Sequence, residues 1–171
     1  MESKGPQSKK SSGTGFQPVI SFRSSRRNLP RWQEPGAVYF ITWRLKDEEI
    51  LSPEERDIVL KSLLHWQGIR WEVYAAVVIP NHIHVIAQPL TTPDGASISL
   101  SSIIHSVKTF SSRQVNALRG CQGALWQDER HDRIIRDEKE LLEKWGYLRH
   151  NPVERGLTGS PEDYPWLYEK N

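Results

Sequence analysis

WEVYAAVVIPNHIHVIAQP, residues 71–89, decides the fold of this chain. Two runs rich in β-branched and aromatic residues, WEVYAAVVI (71–79) and HIHVIAQP (82–89), flank the turn pair Pro80-Asn81, and together they read as a β-hairpin. Upstream, AVYFITWRL (37–45) has the same character and follows the punctuation Pro35-Gly36, so it predicts another strand. Between them, Ser52-Pro53-Glu54-Glu55 supplies an N-cap, a first-turn proline and early acids. A helix is predicted from there to about Gln67, burying Ile58, Val59, Leu63 and Trp66.

Downstream, the loop TTPDGAS (91–97) leads to a second amphipathic helix from about Ser99 to Gly120, with Leu100, Ile103, Ile104, Val107 and Val115 on one face. ERHDRII (129–135) reads as a final short strand. A third helix is predicted from about Asp137 to Asn151, where Pro152 would block its continuation. The order β-α-β-β-α-β-α predicts an α+β domain, a ferredoxin-like antiparallel sheet with helices packed on it. No internal repeat is visible.

With 171 residues, 37% of them apolar and 26% charged, the chain has the length and composition of one globular domain. Its net charge of +2 hides an asymmetry. Residues 1–30 carry six of the 23 basic side chains and one of the 21 acids; the rest carries 17 basic and 20 acidic ones. Residues 1–20 are polar and rich in small residues, which predicts a disordered tail. Residues 21–35 form a basic arm, and residues 36–171 the single domain. A basic arm on a mildly acidic body suits phosphate-backbone contact, or a solvated tail. Seven tryptophans permit stacking on unpaired bases without requiring it. Cys121 stands alone, which excludes an intramolecular disulfide and suggests a reducing, cytoplasmic setting. No stretch has the length of a signal peptide's apolar core or of a membrane span.

Two positions apart on a strand, His82 and His84 project from the same face, while Ile83, Val85 and Ala87 point to the other. Such a pair is half of a metal site, a phosphate-binding pair, or two polar residues on a solvated sheet face. On the third helix, Leu141, Leu142, Trp145 and Leu148 make an apolar stripe. At roughly 100° per residue, Tyr147 lies about 160° from the centre of that stripe and Asn151 only about 40° from Tyr147. The two share a face one turn apart: a surface tyrosine and a helix-terminal amide, or a nucleophile beside a metal ligand.

VVIPNHIHVIAQP (77–89), VKTFSSRQVN (107–116), ALWQDERHDRIIRDEKEL (124–141), YLRHNPVERGL (147–157) and the tail SPEDYPW (160–166) together resemble the REP-associated tyrosine transposases. These are single-tyrosine transposases of the His-hydrophobic-His group. The likeness covers about residues 36–168 in the family's order and spacing. It implies that His82 and His84 bind a divalent ion, Mg²⁺ or Mn²⁺, with Asn151 as third ligand, and that Tyr147 is the catalytic nucleophile on the last long helix. Two imidazoles and an amide oxygen would in themselves hold Zn²⁺ or Ni²⁺ more tightly. The implied activity is a strand transferase and nicking endonuclease acting on single-stranded, hairpin-forming DNA through a 5′-phosphotyrosine, in a cytoplasmic, nucleoid-associated protein that is a monomer or homodimer. A non-catalytic hairpin-binding regulator is the alternative, and a hydrolytic metal nuclease a third.

Arg23, Arg26, Arg27 and Arg31 are expected to contact DNA, with Trp32 available for stacking. Lys108, beside His105 on the polar side of the second helix, is a further phosphate contact or a solvated lysine. Glu129, His131 and Asp132 precede the last helix as proton acceptors for Tyr147 or as ion-pair partners. Gly146, costing about 1 kcal/mol in a helix interior, either loosens the tyrosine turn or relieves crowding beside Trp145.

Overall fold

A computed structural model describes residues 34–47 and 49–170. The predicted disordered tail, all of the arm before residue 34 and its contacts Arg23, Arg26, Arg27, Arg31 and Trp32 lie outside the described residues. The elements run β1 (Val38–Leu45), α1 (Pro53–Leu64), β2 (Trp71–Ile79), β3 (His82–Pro89), α2 (Leu100–Arg119), β4 (Trp126–Ile135), α3 (Glu138–Glu154), a 3-10 turn (Pro161–Asp163) and β5 (Leu167–Glu169). The sheet order is β4-β1-β3-β2-β5, and every pair is antiparallel. The first four strands have the ferredoxin-like order, so the expected α+β class is what the chain adopts.

Local chemistry sets the helix ends. The Ser52 hydroxyl accepts from Glu55 N–H, and the Glu55 carboxylate accepts from Ser52 N–H, a reciprocal capping box. Gly120 ends α2 at φ 65°, in the left-handed region where glycine lacks the Cβ penalty. α3 starts on Asp137, whose carboxylate accepts from Glu140 N–H at 2.7 Å.

Helices cover both faces of the sheet. On one, Ile41, Trp43, Ile83, Val85 and Ala87 pack with Val59 and Leu63 of α1 and with Ile103, Ile104 and Val107 of α2. On the other, Val77, Ile79 and Ile86 pack with Leu141 and Leu148 of α3 and with Tyr164. Burial on both sides explains why 71–79 is nearly all apolar. Leu148 is fully buried between α3 and the sheet. Leu148→Ala is expected to cost about 3 kcal/mol, read as a lower midpoint in urea unfolding followed by tryptophan fluorescence.

Two expectations need correction, and one strand was not predicted. α3 runs on to Glu154 with Pro152 inside it, because the N–H groups of Arg155, Gly156 and Leu157 bond back to carbonyls of 151–153, closing the last turn around the one bond proline cannot make. β4 is longer than ERHDRII and begins at Trp126. The tail 160–169 is structured: β5 pairs with β2, and the indole N–H of Trp145 donates to Glu169 at 2.5 Å, with Arg149 also paired to Glu169. Among the described residues no helix is long and apolar enough to cross a membrane.

Candidate active site

β3 is the middle strand, and its even positions face α3. His82 and His84 are therefore covered rather than solvated, 1% and 4% exposed. Buried imidazoles need partners. The Nε2 atoms of His82 and His84 stand 3.0 Å apart, His82 Nδ1 lies 2.7 Å from Asn81 Oδ1, and His84 Nδ1 lies 2.7 Å from Thr42 Oγ1. With the Asn81 oxygen as acceptor, His82 carries its proton on Nδ1 and offers a bare Nε2. His84 Nε2–H then donates to it, and the Thr42 hydroxyl donates to His84 Nδ1. Because that hydroxyl can equally accept, His84 can move its proton to Nδ1 and free its own Nε2. Two nitrogens bound at right angles to one ion at about 2.1 Å stand about 3.0 Å apart, so the pair fits a divalent cation with each ring oriented from behind.

Burial, followed by the positive charges of Arg155 and Arg44, pushes the His82 imidazole down to about 4. His84 is pushed down to about 3 by burial, then by His82, Arg155 and Arg44. Both rings are thus neutral at pH 7 and available as ligands. The unfolded chain protonates its histidines near pH 6.5, whereas the folded protein resists until about 4 and 3. Their contribution to stability is therefore full above pH 6.5 and lost as the pH falls toward those lower values. Thermal unfolding without metal is expected at a Tm several degrees lower at pH 5 than at pH 7, with a smaller drop in His82→Gln/His84→Gln.

Tyr147 reaches this pair from α3. Its ring meets His84 edge-on with centroids 5.2 Å apart, while Phe40 stacks on His84 at 5.4 Å and meets Tyr147 at 6.1 Å. Tyr147 is 43% exposed, open to solvent on one side and to an imidazole on the other. Three residues of the expected stripe on α3 face the core, Leu141 and Leu148 buried and Trp145 half-buried, but Leu142 is 54% exposed, and Asn151 and Pro152 complete the buried set. That rotates the buried arc toward Tyr147, which sits on its flank. Asn151 is inside the arc and buried, not on a face opposite the core. Its Oδ1 accepts from Arg155 Nε at 3.0 Å. Asn151 thus offers an oxygen beside a guanidinium whose charge acts on both histidines. Among the described residues no group of three or more His, Cys, Asp or Glu side chains is placed to hold a metal ion. Of the three donors expected from the sequence, the two imidazoles meet through their Nε2 atoms, and the Asn151 amide oxygen is held by Arg155.

The other candidates separate. α2 packs on the far face of the sheet, so Lys108 is not brought to the histidines; its ammonium donates to the Gln127 carbonyl at 2.7 Å. Asp132 is an ion-pair partner, 3.2 Å from Arg130. His131 pairs with Thr42 across β1 and β4, on the histidine face but exposed, and Glu129 is exposed. Beyond its chain neighbours and its own helix backbone, a Cβ on Gly146 would meet nothing within 4 Å. Gly146→Ala is expected to stabilise the protein by about 1 kcal/mol, measured as a raised urea midpoint. Sequence reasoning missed Thr42, Phe40, Arg44, Asn81 and Arg155. Phe40, Thr42 and Arg44 share alternation on β1, a signal that becomes useful only once its pairing with β3 is known.

No protein-family model matches the chain. A Haemophilus influenzae protein named "Putative REP-associated tyrosine transposase" is 26% identical, across 77% of this chain and 78% of its own length. Among solved structures, that of a REP-associated tyrosine transposase bound to a REP hairpin superposes with a TM-score of 0.67 at 22% identity, over 83% of this chain and 82% of that one. In sequence and in fold, the chain is similar to the REP-associated tyrosine transposases, the resemblance its motifs carry.

Proposed function

We propose that this protein is a metal-dependent DNA strand transferase that cleaves and rejoins hairpin-forming single-stranded DNA through Tyr147. The observation that carries the reading is the contact of an exposed tyrosine with a buried, converging pair of neutral histidines. The sequence relative and the hairpin-bound structural relative support the substrate class.

His82, His84 and Asn151 would hold Mg²⁺ or Mn²⁺, which when bound supplies Lewis-acid polarisation of a non-bridging phosphate oxygen. The Tyr147 oxygen attacks phosphorus, the bond from phosphorus to the 3′ oxygen breaks, and the phenolic proton leaves to solvent as the 3′ oxygen takes one up. The products are a 5′-phosphotyrosine and a free 3′-hydroxyl. Phosphodiester energy stays in the tyrosyl link, so a 3′-hydroxyl can attack back and reseal DNA without ATP. Phe40 and His84 restrict where the Tyr147 ring can lie, which favours a single line of attack. The arm residues Arg23, Arg26, Arg27 and Arg31, and Lys108 on the far side of the sheet, would add backbone contacts along a longer DNA. A cytoplasmic protein held on the nucleoid is consistent with that substrate.

The test is incubation with Mn²⁺ and labelled hairpin DNA, followed by denaturing electrophoresis. A denaturation-resistant protein–DNA adduct supports the proposal. Cleavage without an adduct points to a hydrolytic nuclease, and binding without cleavage to a regulator.

A further inference from the structure

Two guanidiniums flank the histidine pair. Arg44 is the cross-strand partner of His82 and so shares its face of the sheet. Arg155 caps α3 and donates to Asn151 from above. Both act electrostatically on His82 and His84. Neither is in a salt bridge among the described residues. Asn151 Oδ1, the oxygen that the metal-dependent reading assigns as third ligand, is already engaged by Arg155.

This composition is unusual for a cation site. Two neutral imidazoles and one amide neutralise nothing, and two fixed positive charges oppose a divalent ion. An anion is what the pocket lacks. A guanidinium presents several N–H donors in a plane that matches two phosphate oxygens, and Arg44 and Arg155 approach from different elements, β1 and α3.

We propose that Arg44 and Arg155 form a phosphate clamp, so that the pocket takes the DNA phosphodiester first and binds its divalent ion tightly only afterward. The inference rests on the metal-dependent reading above and adds to it an order of binding and two phosphate-binding residues. A bound phosphodiester cancels the positive charge, draws Arg155 off the Asn151 oxygen and offers oxygen ligands of its own. By linkage, whatever factor DNA adds to metal affinity, the metal adds to DNA affinity. A site so arranged stays largely empty of metal when no strand is present.

The experiment measures two affinities in the full chain and in Arg44→Gln, Arg155→Gln, Arg44→Lys and Arg155→Lys. Binding of a fluorescein-labelled DNA hairpin is followed by anisotropy in EDTA across a salt series. Binding of Mn²⁺ to DNA-free protein is followed by electron paramagnetic resonance. Each Gln variant is expected to bind the hairpin roughly 3- to 10-fold more weakly and to lower the salt slope by about one, with the Lys variants close to wild type in slope. Each Gln variant is also expected to bind Mn²⁺ roughly 3- to 10-fold more tightly than wild type, a gain that loss of a merely structural arginine would not produce. Unchanged hairpin affinity in EDTA together with unchanged or weakened Mn²⁺ binding overturns the clamp. If wild type forms no adduct while the Gln variants still lose hairpin affinity in EDTA, the clamp stands and the transposase reading falls. If the adduct forms and the Gln variants are silent, the clamp falls alone.

Discussion

Tyr147→Phe is expected to eliminate the covalent protein–DNA adduct, lowering its rate of formation by at least roughly 10⁴-fold. The change removes one oxygen from a side chain that is 43% exposed and has no role in the apolar packing of α3. Its ring still meets His84 and Phe40, so the helix stays where it is. Hairpin affinity, Mn²⁺ affinity and the unfolding midpoint should all remain close to wild type. The measurement is denaturing electrophoresis of labelled hairpin after incubation with Mn²⁺, with anisotropy and thermal unfolding run alongside. Undiminished strand cleavage by the Phe variant would remove Tyr147 from the mechanism and leave the histidines serving hydrolysis.

The second large effect is expected at His84. Its ring is 4% exposed, hydrogen-bonded to Thr42, opposed to His82 and stacked on Phe40, so truncation to Ala would confound lost ligation with an unfilled cavity. His84→Phe keeps a ring beside Phe40 and Tyr147 and removes both nitrogens. This variant should fold, bind hairpin DNA, and lose at least roughly 100-fold in Mn²⁺ affinity, with adduct formation falling in step. Isothermal titration with Mn²⁺ in the presence of hairpin DNA reads the first loss and electrophoresis the second. Equal Mn²⁺ affinity in wild type and His84→Phe would place the ion elsewhere.

Much of this was legible in residues 71–89, because alternation about Pro80-Asn81 assigns Ile83, Val85 and Ala87 to one face and the two histidines to the other. The helix caps at Ser52, Ser99 and Asp137 were legible for the same local reason. The spacing made Tyr147 and Asn151 neighbours one turn apart, but not the difference in their burial. What failed was the assumption that apolar means buried: Leu142 is an exposed leucine, and Asn151 a buried amide. Proline at 152 misled because a helix's last turn tolerates what its middle does not. Lys108 shows a different limit, since a polar helix face need not be the face nearest the chemistry. Thr42 and Phe40 became neighbours of His84 only through strand pairing between residues 42 and 44 positions apart, which no local pattern encodes.

The interleaving on β3 has a consequence for how such a protein ages. His82 and His84 are buried polar groups on the face beneath α3, beside Thr42, and the apolar cluster on the opposite face of the sheet does not include them. Substituting apolar side chains there would relieve buried polar groups and tend to strengthen the fold while ending the chemistry. Selection for activity must therefore hold two destabilising letters in place against a drift that rewards their loss. A descendant freed from that selection could shed catalysis by one or two substitutions and keep intact the scaffold on which a DNA-binding regulator is built.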